Sequence, residues 1–167
     1  MRRGRWLRSA LLLAVALAAA LLLAGQLGAF AGRVPTDLGV RDARLKAPSA
    51  TPNSVSSQVD LWPDHPMREY ARIAALPLLP AGAPATMNRL RTLVEDMPGA
   101  VVVSANQDYL RVQFTTRWLG FVDDAEFWAD PAAGVVQVRS ASRLGRRDFG
   151  ANRARIEALR ARLAASG

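Results

Sequence analysis

Residues 122–143, VDDAEFWADPAAGVVQVRSASR, constrain the fold more than any other stretch. Two runs of β-formers are joined by Asp130-Pro131-Ala132-Ala133-Gly134, a turn sequence with proline early and glycine last. A hairpin closing at Asp130 opposite Val135 fixes every other partner. Glu126 then faces Arg139, Trp128 faces Gln137, Val122 faces Arg143, and Asp124 is diagonal to Arg139. The two-residue period puts these on one face and Phe121, Ala125, Phe127, Val136 and Val138 on the other, which reads as core. Asp123 falls opposite Ser142 on the core side, at the strand end, where it could accept hydrogen bonds from arginine or backbone groups. A slip of one residue would invert all of this.

The surrounding sequence supplies partners for the hairpin. GAVVVSANQ reads as one strand and DYLRVQFTTRWLGF as a second, with Leu110, Val112, Phe114 and Trp118 alternating with Arg111, Gln113, Thr115 and Arg117. Upstream, residues 84–97 place Met87, Leu90, Val94 and Met97 on one helical face, closed by Pro98-Gly99. MREYARIAALPLL predicts a short helix stopped by Pro77 and Pro80. GANRARIEALRARLAAS predicts a last helix, with Asn152 or Asp148 as cap and Ile156, Leu159 and Leu163 as its apolar stripe. The fold class is therefore α+β: an antiparallel four-stranded meander sheet packed by flanking helices, after an N-terminal hydrophobic helix. Such a layout is shared with helix-grip domains that cup apolar ligands, an analogy of layout alone.

The N-terminal 32 residues form a segment apart. Arg2, Arg3, Arg5 and Arg8 precede the apolar run ALLLAVALAAALLLAGQLGAFA. Residues 10–24 suit the core of a signal peptide, and Ala29-Phe30-Ala31 resembles its cleavage site; residues 10–31 are also long enough for a membrane anchor. Both readings stand. Both keep the arginines on the cytoplasmic side and export the rest. The protein is then anchored in the inner membrane with a periplasmic domain, or released to the periplasm if the segment is cleaved. Residues 33–66, rich in proline and serine, read as an extended linker or an arm lying on the domain; Val55, Val59, Leu61 and Trp62 offer apolar anchors. Residues 67–167 form the globular α+β domain.

Charge excludes one partner class. The net charge of +8 owes five positive charges to Arg2, Arg3, Arg5, Arg8 and Arg33; the remainder holds 17 basic and 14 acidic residues, a net charge of +3. That is too weak for a nucleic-acid stripe. The chain has no cysteine, so disulfides, thiolate metal sites and a thiol nucleophile are excluded.

The acidic and basic ends of the hairpin are the candidate site. Structural ion pairing of Asp124, Glu126, Arg139 and Arg143 is the first reading, fixing register and orienting RLGRRDFGANR against the sheet. An anion site formed by Arg139, Arg143 and Arg153 is the second, because guanidinium forks match carboxylate and phosphate. A catalytic pair, Asp123 or Asp124 with Glu126, is the third. Abundant arginine works against it by holding carboxylates ionised. A magnesium or calcium site at Asp123, Asp124 and Glu126 lacks a loop signature, and alternation separates Asp123 from the other two. No cofactor is expected. His65, the single histidine, sits in PDHP and reads as a turn residue. No G-x-S-x-G or S-x-x-K is present, and the glycines of GRRDFGAN match no nucleotide motif. Trp118 and Trp128 read as core-packing residues or the rim of a pocket.

YLRVQFTTRWLGFVDDAEFW followed by VVQVRSASRLGRRDFGANRARIEALR resembles a bacterial and plastid family known as a domain of unknown function, DUF1499. The resemblance covers residues 53–163. TPNSVSSQ is similar to a P-N-C-V-S-S element of that family, with Ser54 where cysteine is common, so a cysteine-based role does not carry over. The resemblance implies a one-domain exported or membrane-associated protein and no established activity. Its motif falls here on Asp123, Asp124, Glu126, Arg139, Ser140, Ser142, Arg143, Asp148, Asn152 and Arg153.

Three functions fit these observations. One is a noncatalytic binding module of the envelope, membrane-associated through its N-terminus, taking a small apolar or anionic ligand in a cavity lined by Leu110, Phe114 and Phe127. The second is a module that binds an envelope protein through the charged sheet face. The third, ranked last, is a hydrolase-like enzyme using the acidic cluster.

Overall fold

The computed structural model describes residues 2–165, with side chains from Trp6 to Ala165. The side chains of Arg2, Arg3 and Arg5, on which the orientation argument partly rests, lie outside the described residues.

Helix α1, Arg2–Gln26, comes first. Its stretch Trp6–Gln26 has a mean hydropathy of 2.3 and is exposed along its length except at its C-terminal end, where Gly25 is buried. Its 21 residues span about 30 Å at 1.5 Å per residue, the thickness of a bilayer core. It is compatible with an anchor or a signal sequence.

The sheet is antiparallel. Strands β3 (Ala100–Ala105), β4 (Tyr109–Thr115), β5 (Val122–Asp130) and β6 (Val135–Ser142) form the expected meander. Two short strands complete it. β1 (Ser54–Ser56) pairs with one end of β6 and β2 (Leu76–Pro77) with the other, giving six strands rather than four. The β5–β6 register is the one expected: Asp130 pairs with Val135, Glu126 with Arg139 and Asp123 with Ser142. Turn chemistry enforces it, since the Asp130 carboxylate accepts the backbone N–H groups of Ala132 and Ala133.

Helices α3 (Gly82–Glu95) and α4 (Ala151–Ala164) cover one sheet face. Met87, Leu90, Leu93 and Val94 from α3 and Ile156, Leu159 and Leu163 from α4 close over Leu110, Val112, Phe114, Ala125, Phe127, Val136 and Val138. Each of these side chains apart from Ala125 contributes about 1.5–3 kcal/mol on burial. Gly99, which joins α3 to β3, is required sterically: its φ is +73°, and a Cβ there would lie 2.1 Å from the Thr115 carbonyl oxygen.

Three sequence expectations change. Residues 67–79 do not form one helix. A single turn, α2 (Arg68–Ala71), gives way at Arg72, and Ile73 donates its N–H to the Ser56 carbonyl before the chain enters β2. Packing onto the sheet edge wins over helix propensity, and Pro77 is tolerated because β2 is an edge strand. Trp118 is not a strand residue. β4 ends at Thr115, and Trp118 sits 63% exposed in the loop to β5. Lastly, no single cavity gathers Leu110, Phe114 and Phe127: all three belong to the core, Leu110 also borders a recess of about 210 Å³ against α3, Phe114 a separate one of about 540 Å³ beside Arg155, and Phe127 borders neither.

Residues 33–66 lie along the domain as an ordered arm. Val55 and Val59 are buried, as is Leu45, while Leu61 stays exposed and Trp62 half-buried. The Leu45 N–H donates to the Gln58 side-chain carbonyl, and Gln58 returns a bond to the Ala43 carbonyl. His65 has the turn role expected of it: its Nδ1 accepts the Met67 N–H, and its Nε2 meets the Pro48 carbonyl.

Candidate functional site

The charged residues of the hairpin separate into two networks, one on each side of the sheet, as strand alternation requires. On the side away from the helices, Asp124 accepts a forked pair from Arg143, at 2.6 and 2.9 Å, and a third bond from Arg111 at 3.0 Å. Glu126 Oε1 accepts the Tyr109 hydroxyl at 2.8 Å and the Gly39 N–H at 2.7 Å. Its other oxygen faces Arg139 at 3.6 Å. Arg139 in turn donates Nε–H to the Ala47 carbonyl.

This face is not open. Gly39 and Ala47 belong to the arm, which bonds to the network from above, and all of β5 is buried. The Asp124 side chain is 2% exposed. Burial by itself would raise its carboxyl, but the hydrogen bonds and charges of Arg143 and Arg111 outweigh that and hold it below its ordinary value. Burial pushes the Tyr109 phenol far above its ordinary value, helped by the Glu126 carboxylate it bonds to. Burial also lowers Arg139, against the opposing pull of Glu126, Asp124 and Asp37.

On the helix side, Arg155 reaches down from α4 to Asp123 at 2.7 Å while its guanidinium lies 4.3 Å from the centre of the Phe114 ring. Asn152, fully buried, links the pieces. Its amide donates to the Asn53 carbonyl, the Ser142 hydroxyl and Asp148, and its carbonyl accepts from Ser140 and Arg155. Asn152 is therefore not the helix cap. Nor is Asp148: Gly150 holds the N-cap position of α4, and Asp148, two residues earlier, accepts the Gly150 and Asn152 N–H groups and the Tyr70 hydroxyl at 2.6 Å. Burial opposes ionisation of Asp148, yet these donors hold its carboxyl below the ordinary value.

Of the ten candidate residues, Asp124, Glu126, Arg139 and Arg143 meet under the arm, and Asp123, Ser140, Ser142, Asp148 and Asn152 meet beneath α4. Arg153 joins neither group but donates to the Tyr70 carbonyl, so the arginine triad Arg139, Arg143 and Arg153 does not converge. Among the described residues there is no cluster of three or more metal-binding side chains. Tyr109, Arg111 and Arg155 were not singled out by sequence reasoning. Tyr109 and Arg111 share the strand face of Asp124 and Glu126 and are legible once the β4–β5 register is known; Arg155 is placed only by the docking of α4.

A cleft of about 290 Å³ opens where β4 ends, β5 begins and β6 ends. Thr116, Phe121, Leu144 and Phe149 wall it, and Asp123, Ser142, Arg147 and Asp148 supply its polar groups. Beside it, α1 is seated on the β4–β5 loop. Gln26 donates to the carbonyls of Arg117 and Trp118, both at 3.0 Å, and Phe30 stacks on Phe121 with 5.3 Å between ring centres. Gly25 and Gly120 allow the contact: a Cβ on Gly25 would lie 2.6 Å from the Leu119 carbonyl oxygen, and one on Gly120 2.5 Å from the Gly25 oxygen.

The whole meander, all of α4 but its last residue and the two networks except Gly39 fall within residues 44–163, and this is the span matched by the model of a family described as a protein of unknown function, DUF1499. The chain belongs to that family. The family match begins within the arm, at residue 44, so the family unit includes Leu45, Ala47 and β1 as well as the meander. No curated protein matches the chain, and no solved structure does.

Proposed function

We propose that this protein is a noncatalytic binding module of the cell envelope, held in the inner membrane by α1 with its domain on the periplasmic side. In this reading the ligand is a small amphiphile, and its site is the cleft between the β4–β5 loop and the loop from β6 to α4. The observation that carries the proposal is the chemistry of that cleft. Apolar walls from Phe121, Leu144 and Phe149 stand over a polar floor of Asp123, Ser142 and Asp148, with Arg147 at the rim. Of the motif residues, Asp123 and Ser142 would thus contact ligand, Asp148 shapes the floor with its oxygens already engaged by Tyr70, Gly150 and Asn152, and Asp124, Glu126, Arg139 and Arg143 hold the sheet and arm together.

Retention of α1 is supported by its seat on the domain. Cleavage after Ala31 would remove Gly25, Gln26 and Phe30, which fill contacts against Leu119, Trp118 and Phe121. The noncatalytic part is supported by Asp124 and Asp148. Both are kept ionised by three or more donors each, leaving neither a proton to give nor a free lone pair aimed at a substrate.

The filled core favours a second reading, an envelope protein-interaction module. Its contact surface would then be the loops rather than the charged sheet face, since Arg139 lies beneath the arm.

Native and denaturing mass spectrometry on the full chain, extracted from membranes in mild detergent, tests the proposal. The expected result is a discrete extra mass that disappears on denaturation and is absent from a Leu144→Arg variant. A clean apo mass, or an adduct that survives Leu144→Arg, refutes the cleft as a ligand site and leaves the interaction module.

A further inference from the structure

We infer that the end of the domain carrying the β4–β5 and β6–α4 loops docks onto the surface of an anionic phospholipid bilayer. Trp118, Leu144 and Phe149 enter the headgroup layer, and Arg117, Arg146 and Arg147 face lipid phosphates. The inference rests on the reading of α1 as a retained membrane span.

Position is the first argument. Gln26 ends the apolar stretch and bonds to the backbone of Arg117 and Trp118. The β4–β5 loop is therefore fixed at the level where α1 leaves the bilayer. Antiparallel pairing brings the end of β6, and with it the loop of residues 143–150, to the same edge of the sheet. The cleft walled by Thr116, Phe121, Leu144 and Phe149 spans both loops.

Exposure is the second. Phe149 is 95% exposed, Trp118 63% and Leu144 44%, on a domain whose Phe114, Phe127 and Trp128 are buried and whose remaining aromatics are half-buried. Phe149 is held out at a cost. Its φ of 53° is in the left-handed region, which a bulky residue enters only under strain. The flanking Asp148 secures it there through the Gly150 and Asn152 N–H groups and the Tyr70 hydroxyl. A rigid loop that presents a phenyl ring to water is explained if the ring's working environment is not water. Tryptophan at the level of the helix end is the usual occupant of a membrane interface.

Charge is the third. Arg117, Arg146 and Arg147 are exposed and, among the described residues, form no ion pair. Asp148 is the sole acid in the two loops, and it is turned inward. An anionic membrane surface attracts each such arginine. An apolar patch rimmed by cations without a carboxylate partner, Arg117 resting 5.0 Å from the centre of the Trp118 ring, matches anionic lipid and not a zwitterionic surface.

The absence of cysteine from the sequence makes the test direct. Full chains bearing one of Leu17→Cys, Trp118→Cys, Phe149→Cys or Ala133→Cys are labelled with a nitroxide. They are placed in phosphatidylcholine nanodiscs with or without phosphatidylglycerol. Spin-label accessibility to oxygen and to a water-soluble nickel chelate is then compared. The expected result places labels 118 and 149 between label 17, in lipid, and label 133, in water at the opposite end of the sheet. Phosphatidylglycerol should draw them deeper, and a joint Arg117→Gln, Arg146→Gln, Arg147→Gln change should abolish that response. Labels 118 and 149 as water-accessible as label 133, with label 17 in lipid, overturn the inference and leave the anchor standing. Shielding from both oxygen and nickel indicates a protein contact, such as a second copy, and also overturns it. Label 17 in water removes the anchor and the docking together.

Discussion

At Asp124 a buried carboxylate is shared between two guanidinium groups, and the two partners are not equivalent. Arg143, 4% exposed in its side chain, meets it with a fork; Arg111, 16% exposed, adds a single bond. Removing the carboxylate charge would leave both arginines uncompensated away from water, which costs about 3–5 kcal/mol. Asp124→Asn is therefore expected to lower the stability of the full chain by about that amount, read as a fall in urea midpoint at constant slope. Glu95→Gln, which breaks the exposed Arg91 pair on α3, should leave the midpoint unchanged within error. Equal effects of the two changes would show that the network carries no special weight. The pairing of Glu126 with Arg139 and of Asp123 with the strand end of β6 could be read from the Asp130–Val135 turn alone. The partners Arg155, Gly39 and Ala47 could not, because each comes from an element whose position is decided by packing rather than by the hairpin.

Elements differ in how much of their own fate they carry. β5 matched its expected limits, residues 122–130, because both of its faces are defined: one by alternating apolar residues, the other by charges with partners at fixed register. The segment from Met67 to Leu79 carries no such instruction. It divides between α2 and β2 according to what the sheet edge can accept. The end of α1 is another element whose seat depends on shape. A Gly25→Val change adds a Cβ only 2.6 Å from the Leu119 carbonyl oxygen and must displace the helix or the loop. The expected outcome is faster hydrogen exchange and proteolysis across residues 25–35 and 116–121, with little change in exchange at β5 and β6. Unaltered protection at both segments would mean that Gly25 does not set the contact. The arm is tested separately by Leu45→Asp, which puts a charge on a fully buried position. It should free residues 37–47 and raise amide exchange around Glu126 and Arg139, with no matching change around Asn152 beneath α4.

For the whole molecule, the two networks set the pH range of stability. Asp124 and Asp148 both have carboxyls below the ordinary 3.8 in the folded state. A depressed folded value means stability that is present above 3.8 and lost as the pH falls from there through the folded values. Tyr109 has the opposite sign. Its folded value lies above the ordinary 10.0, so its contribution is full below pH 10 and declines as the pH rises beyond it. Urea midpoints of the full chain should hence form a plateau between about pH 4 and 10. The acid-side fall should shrink in Asp124→Asn and the alkaline fall in Tyr109→Phe; persistence of both in these variants would place the titrating groups elsewhere. The sequence by itself determined the α+β class, the meander, the β5–β6 register, the core face and the apolar N-terminal helix. Each of these follows from periodicity or turn chemistry, which act between residues close along the chain. Tertiary structure decided the rest: that the arm seals the charged face, that Arg153 parts from the other arginines, that Trp118 and Phe149 stand exposed, and that α1 ends against the β4–β5 loop. Those outcomes depend on which of several apolar and polar surfaces finds a complementary partner far along the chain, and no local pattern encodes that competition.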